Sequence, residues 1–150
     1  MKVLLADPHS RVREMLSACC TLMGDRVEAV YCAAGGPDAV EKAVLFRVDV
    51  AVIDIAPPLT EGIRTIRALR ESGFDRDIVS VSSAAYEHLE KDAMEAGSTA
   101  HLTKPFLLEE FIRVLTGDPV PSGMVTPFDP NGLGRRRGSG RRPLHITLEL

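Results

Sequence analysis

Four polar residues able to act together each close an apolar run: Asp7 after VLLA, Asp54 after VAVI, Ser82 after IVSV and Lys104 after AHLT. A carboxylate can attack phosphorus as a nucleophile and become an aspartyl phosphate. The charge on the phosphoryl oxygens must then be spread over a metal cation, a fixed ammonium and hydrogen-bond donors. In that chemistry Asp54 would be the nucleophile, Lys104 the ammonium and Ser82 the hydroxyl donor. Asp7 would be a ligand for magnesium, which takes a few carboxylate oxygens, waters and the phosphate itself. Each residue also has an ordinary explanation. Asp7 fits the cap of a helix whose first residue is Pro8. Asp54 fits the opening of a turn, Ser82 the cap of a later helix, and Lys104 a solvated surface lysine. It is their convergence that points to chemistry.

The elements that must position them follow from periodicity. Short apolar runs at Val3–Ala6, Val27–Cys32, Val50–Ile53, Ile78–Val81 and Ala100–Thr103 predict five strands. The third is almost wholly aliphatic, as a parallel strand covered on both faces should be. Between and after them lie stripes of helical spacing: Val12, Met15, Leu16, Cys19 and Met23; Val40, Ala43 and Val44; Ile63, Ile66 and Leu69; Tyr86, Leu89, Ala93 and Ala96; and Leu108, Phe111, Ile112 and Leu115. Gly73, Gly97 and Gly117 are placed to end the last three helices. Strict β–α alternation predicts an α/β fold with a mostly parallel sheet and right-handed crossovers. In such sheets ligands bind beyond the carboxyl ends of the strands, near the switch in strand order. All four polar residues stand at those ends.

Length and composition bound the rest. A chain of 150 residues, 45% hydrophobic and 26% charged, holds one domain with a sizeable core. Residues 1–116 carry 13 Lys and Arg against 18 Asp and Glu, a balance of −5, and residues 117–150 carry 5 against 3. The overall −3 gives no general affinity for nucleic acid or anionic membrane. Cys19, Cys20 and Cys32, odd in number and two of them adjacent, suggest reduced thiols rather than a disulfide framework. The run after Lys2 breaks at Asp7, too early for a signal peptide, and no apolar run spans a bilayer. A cytoplasmic protein is expected. From Gly117 about a third of the residues are Gly or Pro, so residues 117–150 read as a flexible tail. Its end, LHITLEL, alternates apolar and polar and has the pattern of an added edge strand. The basic GRRRGSGRR lacks interleaved aromatics and reads as a charged linker rather than a nucleic-acid site.

The segments VLLADPH, VIDIAPPLTEG, IVSVSS and AMEAGSTAHLTKPF, in that order, resemble the response-regulator receiver domain of two-component signalling. The resemblance covers residues 1–116. It implies a flavodoxin-like doubly wound sheet of order 2-1-3-4-5 with helices on both faces. It also implies phosphoryl transfer from a sensor histidine kinase or phosphotransfer protein to Asp54, in a signalling switch rather than an enzyme. The Ala56 carbonyl would join Asp7 and Asp54 in binding Mg2+. Ser82, with Ser83 as the alternative, would turn toward the phosphate, and a residue on the fifth strand would move with it. That residue, an aromatic in the family, is His101 here. The face of the fourth helix, fifth strand and fifth helix would then change its affinity for a downstream protein.

Three departures accompany the resemblance. Pro8 replaces the second residue of the family's acidic pair and should weaken magnesium binding, His101 replaces the switch aromatic, and Glu61-Gly62 replaces Asp-Gly. Pro8 keeps a second reading open, a pseudo-receiver whose state is not set by phosphorylation. Two others are carried less far. Asp7-Pro8-His9 resembles the start of a cobalamin-binding signature, but Val12 stands at its glycine. A haloacid-dehalogenase-type phosphatase would need a second Asp where Ala56 stands.

Overall fold

A computed structural model describes residues 1–55, 60–86, 88–118 and 147–148. Strands β1 (Lys2–Ala6), β2 (Ala29–Ala33), β3 (Val50–Asp54), β4 (Asp77–Ser83) and β5 (Ala100–Lys104) form one parallel sheet in the order β2-β1-β3-β4-β5. Helices α1 (Ser10–Thr21), α2 (Gly36–Phe46), α3 (Thr60–Glu71), α4 (Leu89–Ala96) and α5 (Leu108–Thr116) complete the alternation. The expected fold class and strand order are therefore observed.

Alternate strand residues serve two cores. Val3, Leu5, Val50, Val52, Val79, Val81 and Leu102 face α1 and α5 and pack with Leu16, Cys19, Cys20, Phe111 and Leu115. Leu4, Ala51, Ile53 and Ile78 point the other way and pack with Ala39, Ala43, Ile63, Ile66, Leu69, Ala93 and Ala96. Burial on both faces explains why β3 reads as a continuous apolar run.

Several boundaries and faces differ from expectation. β2 begins at Ala29, because the preceding residues make a 3₁₀ turn, Gly24–Arg26, which the Val27 amide closes on the Gly24 carbonyl (3.1 Å). Helix α1 stops at Thr21, so Met23 is buried just beyond it. Tyr86 lies in a separate 3₁₀ turn, Ala84–Tyr86. On α2 the buried residues are Ala39 and Ala43, while Val44 is 56% exposed. At 100° per residue Val44 is rotated off the line of Ala39 and Ala43, and these small side chains let the helix lie close to the sheet. Gly73, Gly97 and Gly117 all adopt positive φ at helix ends, as their placement predicted.

Most of the expected tail falls outside the described residues. Within it, β7 (Thr147–Leu148) pairs antiparallel with β6 (Phe106–Leu107), Phe106 opposite Leu148. Two residues of the alternating C-terminal segment thus pair with a strand of their own chain. Among the described residues no helix is long and apolar enough to cross a membrane.

The cysteines behave as core residues. Burial pushes the Cys20 thiol up to about 12, with neighbouring Cys19 and Cys32 adding to the rise, and burial also raises Cys19. An alkylating reagent at neutral pH is therefore expected to modify half-buried Cys32 well ahead of Cys19 and Cys20. Equal rates in the folded protein, read by peptide mass, would contradict this packing. Because the folded pKa of Cys20 lies above its unfolded value of about 8.5, the neutral thiol favours the native state below that pH. This contribution should decline as pH rises from there toward the folded value.

Candidate functional site

Strand order brings the polar residues together. β1 and β3 are neighbours with Ala6 opposite Ile53, so Asp7 and Asp54 emerge side by side from the sheet. On the other side of β3, Asp54 is level with Val81, and β5 lies beyond β4. The Asp7 amide donates to the Ala33 carbonyl (3.2 Å) and the Ile55 amide to the Val81 carbonyl (2.9 Å), which carries the sheet's bonding just past both aspartates.

Lys104 spans the two carboxylates. Its Nζ lies 3.3 Å from Asp54 Oδ1 and 3.7 Å from Asp7 Oδ2, with side-chain exposures of 11% for Lys104, 5% for Asp54 and 4% for Asp7. Two nearly buried carboxylates beside the Lys104 ammonium make a strongly charged site, and buried charges are held by partners of opposite sign. The peptide bond after Lys104, to Pro105, is cis.

The stretch after Asp7 differs from a capped helix start. Helix α1 begins at Ser10 with His9 at its N-cap, so Pro8 lies outside the helix. Asp7 Oδ1 instead accepts the His9 amide (2.8 Å), closing a local turn, and His9 Nδ1 lies 3.1 Å from the same oxygen. Arg13 donates to the Asp7 carbonyl (2.6 Å). Position 8 is exposed and offers no ligand.

Ser82 does not cap a helix. It lies inside β4, fully buried, with its Oγ 3.1 Å from His101 Nε2. Ser83 follows at the end of the strand. His101 Nδ1 lies 2.8 Å from Ser80 Oγ, and Ser98 Oγ lies 3.1 Å from Ser80 Oγ. The structure therefore brings Asp7, Asp54 and Lys104 into direct contact and joins Ser82 to His101. Ala56 lies outside the described residues.

Sequence reasoning missed Ser80, Ser98 and the hold of His9 and Arg13 on Asp7. The signal for Ser80 was present: Ser80 and Ser82 are two apart in a strand, hence on one face, in a run otherwise wholly apolar. The contacts of His9 and Arg13 depend on where the backbone turns after β1, which periodicity does not specify.

The donors suit a magnesium ion in kind. Asp7 and Asp54 supply adjacent hard carboxylate oxygens, the kind of donor Mg2+ takes while keeping several of its waters. They are fewer than usual: among the described residues no three His, Cys, Asp or Glu side chains are grouped to hold a metal.

Comparison with known proteins agrees with this arrangement. Residues 3–116 match the family described as response regulator receiver domain. Response regulator MprA of Mycobacterium leprae is 31% identical over 112 residues, covering 75% of this chain and 48% of that protein. The chain thus spans about half the length of the curated relatives it matches. Chemotaxis protein CheY4 of Vibrio cholerae superposes with a TM-score of 0.68 at 28% identity, covering 77% of this chain and 96% of that one. The Francisella response regulator 1452 receiver domain gives 0.64 at 26% identity, covering 77% and 93%. The chain belongs to the response regulator receiver domain family, a class of two-component signalling modules for which aspartyl phosphorylation and magnesium binding are general features.

Proposed function

We propose that this receiver is switched by phosphorylation of Asp54 in a phosphorelay. The single observation that carries the reading is the contact of Lys104 with both buried carboxylates at the carboxyl edge of the sheet. An Asp54 oxygen attacks the phosphorus of a phosphohistidine on a histidine kinase or phosphotransfer protein. The P–N bond breaks, and the departing imidazole keeps its electron pair and takes up a proton. Lys104 holds a positive charge beside the new phosphoryl oxygens, and buried Ser82 lies one residue past the register partner of Asp54 to donate a hydrogen bond. Asp7, Asp54 and the Ala56 carbonyl would hold Mg2+, which when bound neutralises phosphoryl charge. Ser82 and His101 form the switch pair, and the surface of α4, β5 and α5 meets a downstream protein. A cytoplasmic location follows from such partners. Residues 117–150 are read as a Gly-, Pro- and Arg-rich tail appended to the receiver.

Intact-protein mass after incubation with a small-molecule phosphodonor tests this. The chain should gain one phosphoryl group in a magnesium-dependent way, and no gain at any magnesium concentration would favour the pseudo-receiver reading. Replacing exposed Pro8 by Asp restores a carboxylate beside the metal position at little packing cost. At an effective dielectric near 20, a charge pair at about 4 Å is worth several kcal/mol before solvation is subtracted. Pro8→Asp is therefore expected to lower the magnesium concentration for half-maximal labelling about tenfold. No change would mean that the missing acid does not limit the metal.

A further inference from the structure

β6 and β7 form a two-stranded sheet apart from the five-stranded one, with Phe106 opposite Leu148 and Leu107 opposite Thr147. β6 is the connection between β5, which ends at Lys104, and α5, which begins at Leu108. It thus joins two of the three elements of the surface assigned above to a downstream protein. Thr147 and Leu148 already sit on that connection.

β6 is held in place by groups other than β7. Phe106 is 2% exposed, and its ring stacks on Phe111 of α5 with 5.9 Å between centroids. The Leu107 amide donates to Glu110 Oε2 (2.8 Å), which ties it to the first turn of the same helix. Core packing and this helix cap fix the backbone of β6 and leave it an edge of extended chain. Such an edge binds a segment by strand addition, where main-chain hydrogen bonds attract and alternate side chains select. The LHITLEL stretch around β7 has the matching alternation of apolar and polar residues. Its hold is weak, since only two register pairs form and even a complete two-stranded hairpin is marginal in water. A contact of that strength adds little to the fold and exchanges readily for another strand.

We propose that the β6 edge is an extended-peptide docking site on the output surface, occupied in cis by Thr147–Leu148, which a downstream protein adding its own strand must displace. The β7 segment is then a tethered competitor. Attachment to the same chain raises its local concentration to about the millimolar scale, enough to keep a weak site filled. The proposal rests on the reading of α4, β5 and α5 as the partner surface.

Two measurements on the full chain test the docking. In a Cys32→Ser background, Leu107→Cys with Thr147→Cys should close an intramolecular disulfide under mild oxidation, mapped by peptide mass. Register partners of an antiparallel pair bring their Cα atoms to about 5 Å, within disulfide range. Leu107→Cys with Leu148→Cys, whose side chain points to the other face, should close about tenfold more slowly. Equal rates overturn the pairing, and a disulfide between two molecules overturns occupancy in cis by giving the edge to a second copy. The second measurement follows backbone amide resonances as the synthetic peptide LHITLEL is added to about 2 mM, the scale of a tethered segment. In Leu148→Asp the Phe106 and Leu107 resonances should move from their parental positions, and the peptide should return them at least half-way. The parent should not respond. An equal response in the two proteins, or none in either, overturns the docking site. The partner-surface reading is decided separately, by whether amides of α4, β5 and α5 shift when the parent is labelled with phosphodonor and magnesium. Absence of those shifts overturns the output role, and the docking still stands or falls on the first two measurements.

Discussion

An Asp54→Asn chain incubated with phosphodonor and magnesium is expected to gain no phosphoryl mass, while the parent should gain one group. Asn keeps the size and one oxygen of the side chain but has no anionic oxygen to attack phosphorus. Asp7 is assigned to the metal in the proposed site and is not expected to substitute for Asp54. The effect is all-or-none rather than graded, since removing the nucleophile removes the reaction. The variant should remain folded, because Asp54 lies at the end of β3 and its backbone pairing with β4 is unaffected. Equal mass gain in the two proteins, both folded by circular dichroism, would remove Asp54 from the assignment.

Gly62→Ala is expected to cost about 3 kcal/mol of stability, the upper range of overpacking effects. A Cβ at Gly62 would press on the Asp54 carbonyl oxygen and lie 2.8 Å from the Ile55 Cα. Both are backbone atoms, one at the end of β3 and one just past it, so no side-chain rotation relieves the contact. Either the first turn of α3 lifts off the sheet or the end of β3 shifts. For a domain of this size the melting midpoint should fall on the order of 10 °C. Labelling of Asp54 should fall as well, since the nucleophile and Lys104 Nζ are only 3.3 Å apart. A variant that melts and labels like the parent would show that α3 yields without cost. The glycine of Glu61-Gly62 thus serves close approach of helix and strand, independently of the acidic residue before it.

Much of this was legible in the sequence because the signals are local. Burial on both sheet faces makes β3 continuously apolar, and helical stripes on Ile63, Ile66 and Leu69 or Phe111 and Leu115 need only a period near 3.6. Ser82 was recognisable as a candidate, yet it is a buried strand residue rather than a helix cap. The distinction depends on where β4 ends, and Ser83 extends the strand by a register pair with Lys104. The inward orientation assigned to Val44 failed for a related reason: Val44 lies beyond the edge of the face that Ala39 and Ala43 turn to the core.

The amino-acid sequence by itself determined the alternating strands and helices, the two-sided core and the presence of Asp7, Asp54, Ser82 and Lys104 at strand ends. Each of those features is written within a few consecutive residues. Only the tertiary structure decided which groups touch. The order β2-β1-β3-β4-β5 places Asp7 beside Asp54, and Lys104, 50 residues downstream, meets both. The same packing sets His101 between Ser80 and Ser82, and turns His9 back onto Asp7 in place of a second acid. Distances between residues far apart in sequence follow from strand register and helix packing, which no local pattern contains.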